Sequence, residues 1–166
     1  MTYTPAVSVR QRFGDELALY DIRATDAKSV VAAATELVAT GLEGEGLVDL
    51  ASKVVTPLTS PFEMDALVAV AREELGMKQL SFEEATVRAT QAQIRRWLHG
   101  DLTDRQLAGW AHRAIGHEGP AVLQELVVTD DMFDEIEFIG ATPESIHEDL
   151  KQIGVQLLAI VDPWER

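Results

Sequence analysis

A chain of 166 residues that is 46% apolar and 25% charged has the make-up of an ordinary globular protein, of one domain or two small ones. It contains no cysteine, which excludes disulfides and thiolate metal sites. Its formal net charge of −14 repels phosphate backbones and anionic membranes, so basic proteins and cations are the expected partners, not nucleic acid or lipid.

The opening segment, MTYTPAVSVRQRFG, has no basic start followed by an apolar run, so no secretory signal is expected. The densest apolar stretch, IGVQLLAIV, is far shorter than the roughly 20 residues that span a bilayer. With the absence of cysteine, this points to a cytoplasmic protein. Residues 3–24 are open: AVSVRQRF and ELALYDI read as short strands or as a helix broken near Gly14. From there helical signals dominate. Asp26 caps a helix carrying Val30, Val31, Ala34, Leu37 and Val38, and Gly41 stops it. EGEGLVDLAS reads as a shorter helix after a glycine turn. SPFE opens the next, with Ser60 as cap, Pro61 at the first position and Glu63 closing a capping box. Its expected inner face is Leu67, Val70, Ala71 and Leu75, and it stops at Gly76.

Ser81 and Glu84 repeat the capping device, opening a helix that runs to about His99 and Gly100. Thr103 and Gln106 do so again, with Leu107, Trp110, Ala111, Ala114 and Ile115 inward and Gly116 as the stop. Pro120 starts a short helix with Val122, Leu123, Leu126 and Val127. TPES starts the last, with Ile146, Leu150, Ile153, Leu157 and Val161 inward. The expected fold is all-α, a globular domain of about six to eight helices without a sustained heptad. Residues 1–166 are read as a single helical domain, with an N-terminal half of about 1–80 packed against a more acidic half of about 81–166.

The charge is uneven. Residues 1–80 carry 7 basic and 12 acidic side chains, and residues 81–166 carry 7 and 16. Between Arg113 and Lys151 there are ten acids and no Lys or Arg. The centre of this stretch is TDDMFDEIEF, Thr129 to Phe138, with five acids in ten residues. Met132, Phe133, Ile136 and Ile139 fall on one helical side and leave the acids on the other. Asp130 and Asp131 are expected in a first helical turn, where the dipole favours negative charge by about 0.3–1 kcal/mol each. An acidic face with Phe133 or Phe138 at its edge suits a basic partner.

The same stretch contains DDMFD, which resembles the DDxxD motif of prenyl-chain and terpene synthases. That resemblance implies magnesium and diphosphate held by Asp130, Asp131 and Asp134. It ends with the motif: the chain lacks a second such motif, and no Lys or Arg lies near in sequence. Of the four histidines, His112 and His117 could meet a metal only if Gly116 turned the chain back. His99 and His112 flank a turn and could face each other, and His99 and His117 sit at helix-ending glycines, where they suit terminal carbonyls. The chain has no GxSxG nucleophile, and GLEGEG places acids where a phosphate cradle cannot hold them. A helix-turn-helix reading of LTDRQLAGWAHRAIGHEG fails, because Gly116 comes too late and the following helix is acidic. Trp97 and Trp110 are expected to pack the hairpin around Gly100, and Trp164 to be partly exposed.

The runs LVATGLEGEGLVDLA, AREELGM and EEATVRATQAQIRRWLHGDLTDRQLAGWA, over about residues 37–111, resemble small all-helical bacterial proteins of unassigned or toxin-immunity-like role. The resemblance implies a compact helical binder and no catalytic residue. The function expected is therefore a non-enzymatic interaction protein, immunity-like, whose Asp130, Asp131, Phe133, Asp134, Glu135, Glu137 and Phe138 engage a basic protein partner. No cofactor is expected. The alternatives are a divalent-metal enzyme acting on phosphorylated or diphosphate substrates through Asp130, Asp131 and Asp134, and a structural homodimer.

Overall fold

The computed structural model describes residues 8–162 and 164. Among these it has nine α-helices, one 3₁₀ turn and no strand. In order they are α1 (Val9–Asp21), α2 (Ala27–Val38), α3 (Glu45–Ala51), α4 (Pro61–Glu74), α5 (Phe82–His99), α6 (Asp104–Ala114), α7 (Gln124–Asp134), α8 (Ile136–Ile139) and α9 (Pro143–Leu158), with the 3₁₀ turn at Ala121–Leu123. The all-α expectation holds. The chain divides into two compact units, one ending at Ala85 and one running from Thr86. Among the described residues no helix is long and apolar enough to cross a membrane.

In the first unit the segment left open by the sequence is helical from Val9, while residues 3–7 lie outside the described residues. Ser8 caps α1 by accepting from the Gln11 amide, and the helix runs unbroken through Gly14. Phe13, Gly14, Leu17, Ala18, Leu19 and Tyr20 are all buried. A helix buried around most of its circumference shows no one-sided apolar period, which is why ELALYDI reads equally well as a strand. Asp26 caps α2 as expected, and the Ser29 amide it accepts from holds its carboxyl below the ordinary value.

α3 is capped from outside its own sequence. The carboxylate of Glu74, at the end of α4, accepts from the Gly46 amide at 2.7 Å and the Leu47 amide at 3.0 Å. A Cβ at Gly46 would stand 2.4 Å from Val70 Cγ1, and one at Gly44 would stand 2.6 Å from Glu74 Oε2, so the GEG spacing lets α3 seat against α4. Removing this cap in Glu74→Ala leaves two amides of a seven-residue helix unsatisfied. The expected loss is about 1–2 kcal/mol, read as faster amide hydrogen exchange across α3 with α1 unchanged.

Two expectations for α4 are corrected. Ser60 accepts from the Phe62 amide, but Glu63 pairs with Lys53 and does not close a capping box. The buried face is Met64, Val68, Ala71 and Arg72, with Leu67 and Leu75 half-buried and Val70 50% exposed. The rotation follows from Arg72. Its guanidinium lies inside, paired with Asp21 and donating to Gln79 Oε1. A sequence pattern counts an arginine as outward, so the expected stripe was set off from the real one.

From α5 onward the capping signals hold. Ser81 with Glu84, Thr103 with Gln106 and Thr142 with Ser145 each form a reciprocal pair. The core joins Ile94 and Trp97 of α5, Leu107 and Ala111 of α6, Leu123, Leu126 and Val127, and Ile146, Leu150, Ile153 and Leu157 of α9. Gly154 brings α9 close to α5, since a Cβ there would meet Ile94 Cγ2 at 3.3 Å. The buried Gln91 amide donates to the Leu157 and Ile160 carbonyls and closes the end of α9. Val161, expected inward, lies beyond that end and is 55% exposed. Trp97 is buried and its indole N–H donates to Asp104 Oδ1 at 2.7 Å. The same carboxylate meets His147 Nδ1 at 2.9 Å. Trp110 packs against the core from its edge, and Trp164 is half-buried under the Arg88 guanidinium.

Candidate functional site

The acidic stretch sits where α7 packs on α6. α7 is longer than the sequence pattern shows: it starts at Gln124 and runs without interruption to Asp134. Asp130, Asp131 and Asp134 therefore lie at its C-terminal end and not in a first turn, which corrects the expected placement. There the helix dipole opposes negative charge, so these carboxylates need cationic or donor neighbours, and α6 supplies them.

Leu126, Val127 and Thr129 are buried and fix the roll of α7, and the Thr129 hydroxyl donates to the Leu126 carbonyl at 2.6 Å. That roll turns Asp130 toward α6. Arg105 Nη1 donates to the Asp130 carbonyl at 3.3 Å, its Nε lies 3.7 Å from Asp130 Oδ1, and its Nη2 pairs with the Asp134 carboxylate. The Asp134 hydrogen bond raises the Arg105 pKa above its ordinary value. The guanidinium also lies over the Phe133 ring, 5.4 Å from its centroid. The basic residue missing from the sequence neighbourhood is thus provided 25 positions upstream of Asp130.

Two turns further along α6 is His112. Its Nδ1 lies 3.3 Å from Asp130 Oδ2 and 3.5 Å from Asp131 Oδ1. The chain reverses at Gly116, whose φ of +68° is a left-handed conformation suited to glycine. That reversal returns His117 to the face of His112, with ring centroids 5.0 Å apart and an interplanar angle of 76°. His117 Nε2 then lies 3.5 Å from Asp131 Oδ2. His99 takes no part: it is exposed at the end of α5.

The seven residues singled out by sequence fall into two groups. Asp130 and Asp131 face Arg105 and the histidines, with side chains 17% and 40% exposed. Phe133 packs against the core, and Asp134 is exposed but paired with Arg105. Glu135, Glu137 and Phe138 project into solvent around α8, where Phe138 is 87% exposed and Ile139 46%. The three DDMFD carboxylates do not converge on one another: Asp134 points to Arg105, Asp131 to the histidines, and Asp130 lies between.

The first unit holds a separate polar cleft of about 380 Å³, which the sequence does not announce. On its wall, Arg23 adopts a φ of +59°, left-handed for a non-glycine residue. Arg23 donates twice to Asp65, at 3.3 and 3.1 Å, and the Tyr20 hydroxyl donates to Asp65 Oδ1 at 2.9 Å. The Arg23 hydrogen bonds hold the Asp65 carboxyl below its ordinary value, and burial pushes the Tyr20 phenol up. Arg72 and Asp21 also line the cleft. These charges satisfy one another, which is the arrangement of a structural network. No spacing or residue type in DIRATD signals the left-handed turn at Arg23.

Comparison with protein-family models, with curated proteins and with solved structures finds no match for this chain.

Proposed function

We propose that this chain is a non-enzymatic interaction protein that engages a basic protein partner through the end of α7 and the α8 turn. The observation that carries the reading is Phe138, a large aromatic side chain 87% exposed and flanked by the exposed carboxylates of Glu135 and Glu137. An exposed aromatic ring in an acidic setting provides an apolar anchor inside a field that steers cationic surfaces. Asp134 adds charge at the rim, while Asp130 and Asp131 shape the base of the surface through Arg105 and the histidines. Inhibition of a basic toxin by an immunity-like protein is the finer form of this reading, since an acidic inhibitor associates quickly with a basic target.

The test is affinity purification from the source cells with wild type and with Glu135→Lys/Glu137→Lys/Phe138→Ala. All three positions are exposed, so the fold is expected to survive. A basic protein retained by wild type and lost by the variant is the expected outcome. Equal retention of every partner by the two would overturn the assignment of this surface.

A further inference from the structure

We propose that His112, His117 and Asp131 form a binding site for a first-row divalent transition-metal ion of the zinc class, with Asp130 beside it. This inference is independent of the partner surface on α8 and differs from a magnesium–diphosphate site, because Asp134 is directed to Arg105 and two of the ligands are imidazoles.

Three features carry it. One ligand atom from each of His112, His117 and Asp131 lies within 4.8 Å of the others. The histidine–carboxylate contacts, from His112 to Asp130 and to one oxygen of Asp131 and from His117 to the other oxygen of Asp131, are 3.3 to 3.5 Å. These are long for hydrogen bonds between charged groups. They match the ~3.3 Å that separates neighbouring ligands held at ~2.0–2.1 Å on a tetrahedral zinc ion. Second, His112 Nδ1 is buried and makes no hydrogen bond despite the carboxylates near it. That nitrogen is within ion-pair range of both carboxylates but is not aligned to hydrogen-bond to either, and a metal ion held among them would satisfy it. Third, the ligands come from rigid elements. His112 is on α6, Asp131 on α7, and the left-handed Gly116 returns His117 between them.

The chemistry of the donors sets the ion. Two imidazoles and a carboxylate suit zinc, copper, nickel or iron. Magnesium prefers an octahedron of oxygens and keeps several waters. Asp130 Oδ2, 3.3 Å from His112 Nδ1, is placed to be a fourth ligand or to orient one. Its other oxygen faces Arg105.

The test is calorimetric titration of the full chain with zinc and with magnesium, and with cobalt followed by visible absorption. The expected result is one saturable zinc equivalent, a tetrahedral cobalt spectrum and no comparable magnesium binding. His117→Ala and Asp131→Asn are expected to weaken zinc by about tenfold or more, by analogy with the 10–100-fold losses on removing even supporting residues. Asp134→Asn is expected to leave zinc binding unchanged. His117 is an exposed side chain, so its replacement keeps the fold, and circular dichroism checks each variant. Absence of a saturable zinc equivalent, or zinc binding undiminished in both ligand variants, would overturn the site and leave a pair of histidines ion-paired to carboxylates.

Discussion

Asp21→Ala is expected to destabilise the first unit by about 3–5 kcal/mol, the cost of stranding a buried charge. The Arg72 side chain is 5% exposed and that of Asp21 is 13% exposed. Arg72 keeps only one other side-chain acceptor, Gln79 Oε1 at 2.6 Å, and its Nε has no hydrogen-bond partner. Removing the carboxylate leaves the guanidinium inside without its ion-pair partner, with only the more distant Asp65 carboxylate to offset its charge. The double variant Asp21→Ala/Arg72→Met is expected to recover most of the loss, because an apolar replacement of a whole buried pair is often neutral or better. All three tryptophans, Trp97, Trp110 and Trp164, belong to the unit from Thr86. None of them lies in the first unit, so its denaturation is followed by far-UV circular dichroism. A single variant as stable as wild type, or a double variant no better than the single, would show that the pair does not hold the unit together.

Leu126→Ala is expected to cost about 2–5 kcal/mol, the range for emptying a fully buried leucine site. Leu126 is 1% exposed and sits in the core with Leu107, Ala111 and Leu150. Its loss reaches beyond stability. Leu126, Val127 and Thr129 set the roll of α7, and that roll turns Asp130 and Asp131 toward α6. The variant is therefore expected to unfold earlier, as reported by Trp97 and Trp110, and to lose the Asp131–histidine proximity before it unfolds. The histidine ring resonances of His112 and His117 in an NMR spectrum read that proximity. A destabilised variant with both ring environments unchanged would mean that other contacts orient the carboxylates.

The parts of the fold legible in the sequence are those governed by local chemistry. Asp26, Ser81, Thr103 and Thr142 each cap a helix because a short polar side chain reaches an amide two or three residues on. The stripe Ile146, Leu150, Ile153 and Leu157 is inward because α9 is buried on one side only. Where a contact crosses between elements, the sequence is silent. Glu74 caps α3 from a distance of 28 residues, and Arg72 is inside because Asp21 meets it. The residues of α1 give no period because so many of them are buried.

The acidic stretch shows the same division. Its exposed part is Glu135, Glu137 and Phe138. Its inner part is not where the sequence pattern placed it, because α7 begins six residues before Asp130. That start puts the carboxylates at the wrong end of the dipole and makes their partners Arg105, His112 and His117 structural necessities. The sequence signal that pointed there was Gly116 between two histidines. Only the left-handed turn at that glycine makes the pair a site.

The proposed role of Glu135, Glu137 and Phe138 is to form a steering surface for a basic protein. It is tested most directly by the association rate of the captured partner, measured against ionic strength for wild type and for Glu135→Lys/Glu137→Lys. The expected wild-type rate falls steeply with salt and is about tenfold or more above that of the variant at low salt, with dissociation little changed. Equal rates for the two proteins, insensitive to salt, would contradict it.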